Sequence, residues 1–197
     1  RANGVVAAAQ RALARRGLGF WVIMETVEDA GLAGLARRLL YRGQFLRWRR
    51  QVQGVLAIGA QTAPWVRACG VPAERVLPFA YFLQEEDDLP VMRLEQSEGA
   101  FRVLFVGQFI ERKRLDLLID ALANIADRLP EFRLQVIGSG PLEGALRAKA
   151  AAAFGPRLEW LGQLPLHEAP QRMAPADCLV LPSRHDGWGA VVSEALM

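Results

Sequence analysis

The second half of the chain alternates between short apolar runs and amphipathic segments, and this alternation restricts the fold more than any other feature of the sequence. Phe101 to Val106 and Phe132 to Ile137 are apolar enough for buried strands, and each is followed by a glycine. After the first run, apolar residues repeat at the spacing of a helix: Leu115, Leu118, Leu122, Ile125 and Leu129. Strands and helices that alternate through short loops form a parallel sheet flanked by helices. We therefore predict an α/β fold for this half.

The same alternation continues to the end of the chain. Pro141 suits the first turn of a helix that runs to Phe154, and a short strand is predicted at Leu158 to Leu161. A helix over His167 to Ala174 and a strand over Asp177 to Pro182 follow. The last strand leads through a glycine-containing turn into the start of another helix.

The first half has a similar order, with helices that are rich in alanine or arginine. Its predicted elements are a helix (Gly4 to Arg16), a strand (Phe20 to Met24), one or two helices (Leu32 to Gln53), a strand (Gly54 to Gly59), a short helix (Thr62 to Cys69) and a strand (Arg75 to Phe79). The composition then changes at an acidic stretch, residues 85–99, which is typical of a linker. We predict one partial domain at 1–84 and a second partial domain at 100–197.

Composition and charge indicate a soluble globular protein. Charged residues make up 23% and hydrophobic residues 52% of the chain, which is not the balance of a disordered protein. No apolar run approaches the roughly 18 residues that a membrane span requires, and no secretory signal is recognised. The expected location is the cytoplasm, with Cys69 and Cys178 as buried thiols rather than a disulfide. The net charge of +3 favours anionic ligands but does not indicate nucleic acid.

The segment from Leu32 to Gln53 carries six arginines among leucines and aromatic residues. On a helical wheel these arginines do not gather on one face. Two interpretations remain open, a helix that touches a membrane surface and a solvated helix that covers a sheet. The second interpretation is favoured.

Glycines are predicted to follow or end four strands of the second half: Gly107, Gly138, Gly162 and Gly187. The ligand crevice of a parallel sheet lies at the carboxyl ends of its strands, where these glycines fall. The loop that begins at Gly107 carries three cationic side chains, those of Arg112, Lys113 and Arg114. Phosphate is therefore the expected ligand, and a solvated cationic loop is the alternative.

The last fifteen residues, 183–197, combine a glycine turn with two acids. Asp186 and Glu194 are eight positions apart, so one lies on the loop and the other on the following helix. Gly187 and Gly189 leave backbone N–H groups uncovered at the positive end of that helix. Cations for phosphate and acids for hydroxyl groups describe a nucleotide-sugar better than a dinucleotide. A solvated strand–turn–helix corner has the same pattern and stays open at this point.

Six motifs stand in an order that is typical of one family of enzymes: Val106 to Lys113, Val136 to Pro141, Leu158 to Gly162, Ala176-Asp177, Leu181 to Ser183, and the acid pair of Asp186 and Glu194. Through them, residues 101–197 resemble the donor-binding domain of GT-B glycosyltransferases of the family-4 type, a retaining group. Gly54 to Phe82 is similar to the end of the acceptor domain of that family. The resemblance implies two Rossmann-like domains with parallel sheets flanked by helices, both of them incomplete in this chain.

The resemblance also implies how a nucleoside diphosphate sugar would be held. Lys113 would neutralise the diphosphate and Asp186 would face the sugar, so these two are the expected catalytic residues. Glu194 would accept hydrogen bonds from the ribose. The remaining expected donor contacts are Gly107, Gln108, Arg112, Gly138, Gly140, Leu161, Gly187, Trp188, Gly189 and Ala190. No metal and no other cofactor is expected.

The implied reaction transfers the sugar to a glycan or lipid-linked glycan with retention of the anomeric configuration. Expected partners are the donor and this acceptor, without nucleic acid. A location at the inner face of the cell membrane is an open alternative to a purely cytoplasmic one. Two other functions also remain open, a nucleotide-sugar 2-epimerase and a non-catalytic glycosyltransferase-like binding subunit.

The chain departs from the family pattern at several positions. Asp186 is one methylene shorter than the Glu that is most common there, Gln108 stands where arginine is common, and Arg114 stands where glycine is usual. The end of the first predicted strand offers Glu25, where the family often has a histidine. His185, next to the first acid, is a further candidate for the pocket.

Overall fold

The computed structural model describes residues 4–82, 99–129, 131–165 and 168–196. The chain divides into two compact units, unit 1 (Arg1–Phe82) and unit 2 (Leu83–Met197). Most of the predicted linker lies outside the described residues, and so does His167. The predicted domain boundaries at 84 and 100 therefore stay predictions.

Unit 1 is built around a three-stranded parallel sheet with the strand order β1–β2–β3. Its elements are α1 (Gly4–Arg15), β1 (Phe20–Met24), α2 (Gly31–Arg47), β2 (Val52–Ile58), α3 (Thr62–Ala68) and β3 (Val76–Phe79). A 3₁₀ helix, Ala73–Arg75, directly precedes β3. The central strand β2 buries Val55 and Ile58 completely. Because a central parallel strand is covered on both faces, it reads in the sequence as a nearly continuous apolar run.

Helix α2 packs on the core of unit 1 through aromatic side chains. Tyr41 and Phe45 contact this core, and the Tyr41 ring centroid lies 4.9 Å from that of Trp65. The same helix leaves its leucines largely exposed: Leu32, Leu35, Leu39, Leu40 and Leu46. The helix is therefore packed on the unit, as favoured from the sequence, and its outer side exposes these leucines together with Arg42 and Arg47. Among the residues described, no helix combines the length and apolarity that crossing a bilayer requires.

Unit 2 contains a four-stranded parallel sheet with the strand order β6–β5–β4–β7. Its elements are β4 (Phe101–Val106), α4 (Leu115–Ile125), β5 (Phe132–Ile137), α5 (Glu143–Phe154), β6 (Leu158–Gly162), α6 (Ala169–Met173), β7 (Cys178–Leu179) and α7 (Ala190–Ala195). Further 3₁₀ turns lie at Glu111–Lys113, Ala126–Arg128 and Gly155–Arg157. The predicted α/β class with parallel sheets and flanking helices is confirmed.

The main core of unit 2 lies between the sheet and helices α4 and α5. The buried residues of α4 lie at i, i+3, i+4 and i+7 of the helix: Leu115, Leu118, Ile119 and Leu122. They form one cluster with Phe105 of β4, Val136 of β5 and Leu146 of α5. Truncating one such leucine to alanine costs about 2–5 kcal/mol, so this cluster holds the strand ends firmly in place.

Several predicted boundaries differ from the structure for local reasons. Strand β7 has two residues instead of the six predicted, because it pairs with β4 only at Cys178 and Leu179. Cys178 is exposed, which corrects the prediction of two buried thiols, whereas Cys69 is buried as expected. Helix α5 begins at Glu143 and not at Pro141, because the preceding residues form a turn that is bonded to another loop.

Strand β4 is the point at which the chain order of the sheet reverses. Strand β5 pairs with one edge of β4, and β7, the last strand in sequence, pairs with the other edge. In doubly wound folds such a reversal opens a crevice at the carboxyl ends of the strands, where ligands bind. The loops that follow β4 and β7 therefore meet at this point.

Candidate functional site

The loop after β4 is fixed to its neighbour by main-chain hydrogen bonds. The Gly107 N–H donates to the Ile137 carbonyl (3.0 Å), and the Phe109 N–H donates to the Ser139 carbonyl (2.9 Å). The Phe109 side chain is completely buried, with its ring centroid 4.9 Å from that of Trp160. A buried aromatic anchor thus precedes the cationic residues of the loop and restricts their position.

The loop after β4 passes directly against Gly138 and Gly140, so a side chain at either position would collide with it. A Cβ atom on Gly138 would lie 1.9 Å from the Gly107 carbonyl oxygen, and one on Gly140 would lie 2.7 Å from main-chain atoms of Phe109. The φ angle of Gly138, 139°, is also one that other residues rarely adopt. Both glycines therefore have a packing role within the protein. Their expected contact with a donor stays a prediction.

The loop after β7 brings Asp186 onto Lys113. The Lys113 Nζ lies 2.5 Å from the Asp186 Oδ2, and only 13% and 22% of the two side chains are exposed. The Gly187 N–H donates to the Asp186 Oδ1 (3.0 Å), and the Ser183 hydroxyl donates to Oδ2 (3.4 Å). The two expected catalytic residues are thus in direct contact at the reversal point of the sheet.

Arg112 joins the same two loops. Its Nη1 donates to the His185 carbonyl (2.7 Å), and its own carbonyl accepts from the Arg184 N–H (2.9 Å). His185 therefore takes part in this contact through its main chain. Arg112 and Lys113 belong to one 3₁₀ turn and both bond to the loop after β7. Their combined positive charge favours an anionic ligand at this edge of the sheet.

The surroundings of Asp186 keep its carboxyl group ionised. Burial raises the pKa of Asp186, but the hydrogen bond and charge of Lys113, the charge of Arg112 and the Gly187 N–H outweigh this effect. The pKa of Asp186 consequently lies below its ordinary value. At neutral pH this carboxylate accepts hydrogen bonds and cannot act as a proton donor. It can accept hydrogen bonds from an ammonium group or from the hydroxyl groups of a sugar.

Two further expected donor contacts differ in their exposure. Gln108 is exposed in the loop after β4. Leu161, on β6, is partly buried against a small apolar cluster that includes Leu104, Ile137 and Met173. The structure thus shows a packing role for Leu161, and its expected position beside a nucleotide base stays a prediction.

The residues around α7 form the last part of the site. Gly187, Trp188 and Gly189 lie in the partly buried turn before the helix, and Gly189 has a φ of 72° at the N-cap. Ala190 is the first helical residue. Glu194 is exposed on α7, and within the described part of the chain no hydrogen bond or ion pair to its carboxylate is found. The structure therefore brings Lys113 and Asp186 into contact but does not join Glu194 to them.

Comparison with known proteins identifies the family of this chain. The sequence profile described as glycosyl transferases group 1 matches residues 92–197, more than half of the chain. The chain belongs to the glycosyl transferases group 1 family. This group 1 chain is similar to the 2-deoxystreptamine glucosyltransferase of Streptomyces kanamyceticus, with 30% identity over 163 residues that cover 77% of the chain and 42% of that protein.

A second relative of this group 1 chain is the GDP-mannose-dependent alpha-(1-6)-phosphatidylinositol monomannoside mannosyltransferase of Mycolicibacterium smegmatis. The two are 31% identical over 88 residues, which cover 44% of the chain and 23% of that enzyme. The chain thus spans less than half the length of these curated relatives.

Solved structures confirm the predicted GT-B fold. The Anabaena protein HepE, crystallised with UDP and glucose, has a TM-score of 0.69 at 18% identity and covers 96% of the chain, which spans 53% of HepE. WaaG, a glycosyltransferase involved in lipopolysaccharide biosynthesis, has a TM-score of 0.63 at 18% identity. It covers 97% of the chain, which spans 60% of WaaG.

The sequence singled out the residues that these loops bring together, but it did not predict part of their arrangement. It did not predict the ion pair of Lys113 with Asp186, or the Ser183 hydroxyl on the same carboxylate. The signal for Ser183 was its place in the motif Leu181 to Ser183. The main-chain contacts that tie Arg112 to the loop after β7 carry no sequence signal.

Proposed function

We propose that the protein transfers a sugar from a nucleoside diphosphate sugar to a hydroxyl group of an acceptor. The observation that carries this proposal is the Lys113–Asp186 pair at the reversal point of the unit 2 sheet. The ammonium group attracts the negative charge of a diphosphate, and the ionised carboxylate accepts hydrogen bonds from the hydroxyl groups of a sugar. Membership of the glycosyl transferases group 1 family supports the same assignment.

The donor is inferred to bind across the loops after β4, β5 and β7. The names of similar proteins support a nucleotide-linked donor, since one relative is GDP-mannose-dependent and HepE was crystallised with UDP and glucose. In the proposed complex Lys113 and Arg112 contact the diphosphate, Asp186 faces the sugar and Glu194 accepts from the ribose. The main chain of 188–190 lies beside the sugar as a source of further N–H donors, whereas the Gly187 N–H donates to the Asp186 Oδ1.

In the proposed reaction, the bond from the anomeric carbon to the diphosphate oxygen breaks while a bond to the acceptor oxygen forms on the same face of the sugar. The acceptor proton passes to the leaving diphosphate, and the anomeric configuration is retained. Negative charge develops on the leaving oxygen, where Lys113 and Arg112 stabilise it. Charge that is oriented before the reaction is usually the largest catalytic contribution. The proposal requires no metal ion and no other cofactor.

We further infer that the acceptor is a glycan or lipid-linked glycan and that the protein acts in the cytoplasm, at the inner face of the cell membrane. The name of the phosphatidylinositol monomannoside mannosyltransferase supports a lipid-linked acceptor. The exposed leucines of α2, which lie among arginines, support contact with a membrane surface.

A thermal-shift screen of UDP-, GDP- and ADP-sugars on the intact protein tests this function. A ligand that binds only the folded state raises the melting temperature, so one class of donor is expected to do so. Mass analysis with an acceptor should then show release of the free nucleoside diphosphate, whereas an epimerase leaves the mass of the donor unchanged. The proposal is overturned if none of the three classes stabilises the protein.

A further inference from the structure

Unit 1 has a cavity at the edge of its sheet that lies opposite the carboxyl ends of the strands. The cavity has a volume of about 530 Å³ and is formed by the end of α2, the start of β2 and the turn between α3 and β3. Val52, the first residue of β2, and Arg75, which directly precedes β3, both line it. Parallel sheets bind their usual ligands at the carboxyl ends of strands. This cavity is therefore distinct from the ligand-binding edge of the unit 1 sheet.

The floor of the cavity is apolar. Phe45, Val52, Val71 and Pro72 line it, and only 6% of Val52 and of Val71 is exposed. The volume falls in the range of about 300–1,000 Å³ that is usual for small-molecule sites and exceeds what an inorganic anion needs. A ligand that fills the cavity therefore has an apolar part.

Three arginines line the same cavity: Arg49, Arg50 and Arg75. The Nη1 of Arg75 donates to the main-chain carbonyls of Arg49 (3.1 Å) and Val52 (3.2 Å), which fixes its guanidinium group. A guanidinium has five N–H donors, so those on Nε and Nη2 remain. Within the described ranges of the chain they meet no acceptor. The cavity thus combines an apolar floor with an oriented cation that has free donors.

The surrounding sequence makes this region strongly positive. Residues 30–73 contain seven arginines and no Asp or Glu. Two of these arginines, Arg37 and Arg38, pair with Glu28 and Asp29 before the helix. The ion pairs found among the described residues include none of the three cavity arginines. Glu74 adjoins one of them in sequence and only partly offsets their charge.

We propose that this cavity is a second ligand site, which binds an organic phosphate ester with an apolar substituent. The phosphoryl group lies between Arg49, Arg50 and Arg75, because guanidinium groups match phosphate oxygens in charge and geometry. The substituent covers Phe45 and Pro72. The ester can be a soluble metabolite or the head of an anionic lipid, since both present the same chemistry.

Isothermal titration calorimetry with dihexanoyl phosphatidate, used below its micelle concentration, tests the site directly. Saturable binding of one molecule per chain is expected. Glycerol 3-phosphate, which lacks the apolar part, and dihexanoyl phosphatidylcholine, which lacks the net negative charge, should each bind at least about tenfold more weakly. Equal binding of all three compounds, or no saturable binding of the phosphatidate, overturns the proposal.

Substitutions locate the binding. Arg49→Gln and Arg50→Gln should each weaken phosphatidate binding by about tenfold, because each removes a charged hydrogen bond. The matched control Arg11→Gln, on exposed α1, should leave it unchanged. Leu46→Glu places a negative charge at the cavity without touching the hydrogen bonds of Arg75, and it should abolish binding. Loss of affinity in Arg11→Gln as large as in Arg50→Gln contradicts a specific site.

Two further measurements identify the source of the ester and separate this site from the proposed donor site. Vesicles that contain phosphatidic acid should compete with the soluble ester if the ligand is a lipid, and should not compete if it is a metabolite. Both results support the site. Donor binding should be unchanged in Arg50→Gln, so that failure of the cavity proposal and failure of the donor proposal are seen separately.

Discussion

Lys113 and Asp186 are 73 positions apart in the sequence, and their side chains form an ion pair with Nζ and Oδ2 2.5 Å apart. The pair joins the loops on the two sides of the point where the chain order of the unit 2 sheet reverses. The ammonium group therefore already has an anionic partner. A diphosphate that binds there shares Lys113 with a carboxylate.

This sharing predicts opposite effects of one substitution on binding and on transfer. Asp186→Asn removes the competing charge, so the free nucleoside diphosphate should bind roughly two- to fivefold more tightly, while sugar transfer slows. Calorimetry and a transfer assay measure the two effects. Asp120→Asn is a matched control, because Asp120 pairs with Lys149 on the surface of the same unit (2.7 Å). Weaker diphosphate binding in Asp186→Asn would show that Asp186 does not compete for Lys113.

Acid should destabilise the protein partly through Asp186. Since its pKa is lowered in the folded state, Asp186 contributes stability that is present above the ordinary carboxyl pKa of about 3.9. That stability is lost as pH falls through the folded value. In Asp186→Asn the decline of stability between about pH 5 and pH 3 should be shallower than in the wild type. Urea unfolding at several pH values measures this slope, and an unchanged slope contradicts the assignment.

Gly138 should tolerate no side chain. Gly138→Ala places a Cβ against the Gly107 carbonyl oxygen and forces the two loops apart, which should cost about 2–4 kcal/mol of unfolding free energy. Gly144→Ala is the control, because Gly144 lies in α5 with open space around it. It should stabilise the protein by about 0.5–1 kcal/mol. Equal urea midpoints for the two variants would refute the close approach of the loops.

Arg114 adopts a left-handed conformation, with φ 53° and ψ 38°, at the N-cap of α4. Its side chain partly compensates through Asp116, since the Arg114 Nη2 lies 3.0 Å from the Asp116 Oδ2. Arg114→Gly relieves the strain, whereas Arg114→Ala keeps the strain and loses the ion pair. The glycine variant should therefore be more stable than the alanine variant by about 1 kcal/mol, measured by urea unfolding. An alanine variant as stable as the glycine variant would contradict the strained conformation.

Strand positions were predictable where an apolar run ends at a turn residue. The bounds of β1, β4 and β5 match the sequence prediction because their apolar runs stop at the loop. Strands β4 and β5 are central in their sheet and are covered on both faces, whereas β1 is an edge strand that leaves Trp21 and Ile23 exposed. Strand β7 was predicted too long, since its apolar run continues into Val180 and Leu181 after pairing with β4 has ended. An apolar run shows that residues are covered but does not show which of them pair.

The sequence indicated candidate residues of the site more readily than the contacts between them. Lys113 and Asp186 meet because β7 pairs with the edge of β4 that β5 does not occupy. Local sequence patterns do not show the order of strands in a sheet. The left-handed conformation of Arg114 had one indirect signal, the glycine that is usual at this position in the resembling family. Gly138 was singled out as a donor contact, which stays a prediction, and its close neighbour within the protein, the Gly107 carbonyl, was not foreseen.

Binding of UDP and GDP to the wild type, Lys113→Ala and Lys149→Ala is the most direct test of a donor site at the Lys113–Asp186 pair. We expect one nucleotide to bind the wild type in calorimetry and Lys113→Ala to weaken it by roughly tenfold or more. Lys149→Ala, which removes an exposed ammonium from the same unit, should leave the affinity unchanged. If neither nucleotide binds the wild type, or if the two variants lose affinity equally, the donor site does not lie at this pair.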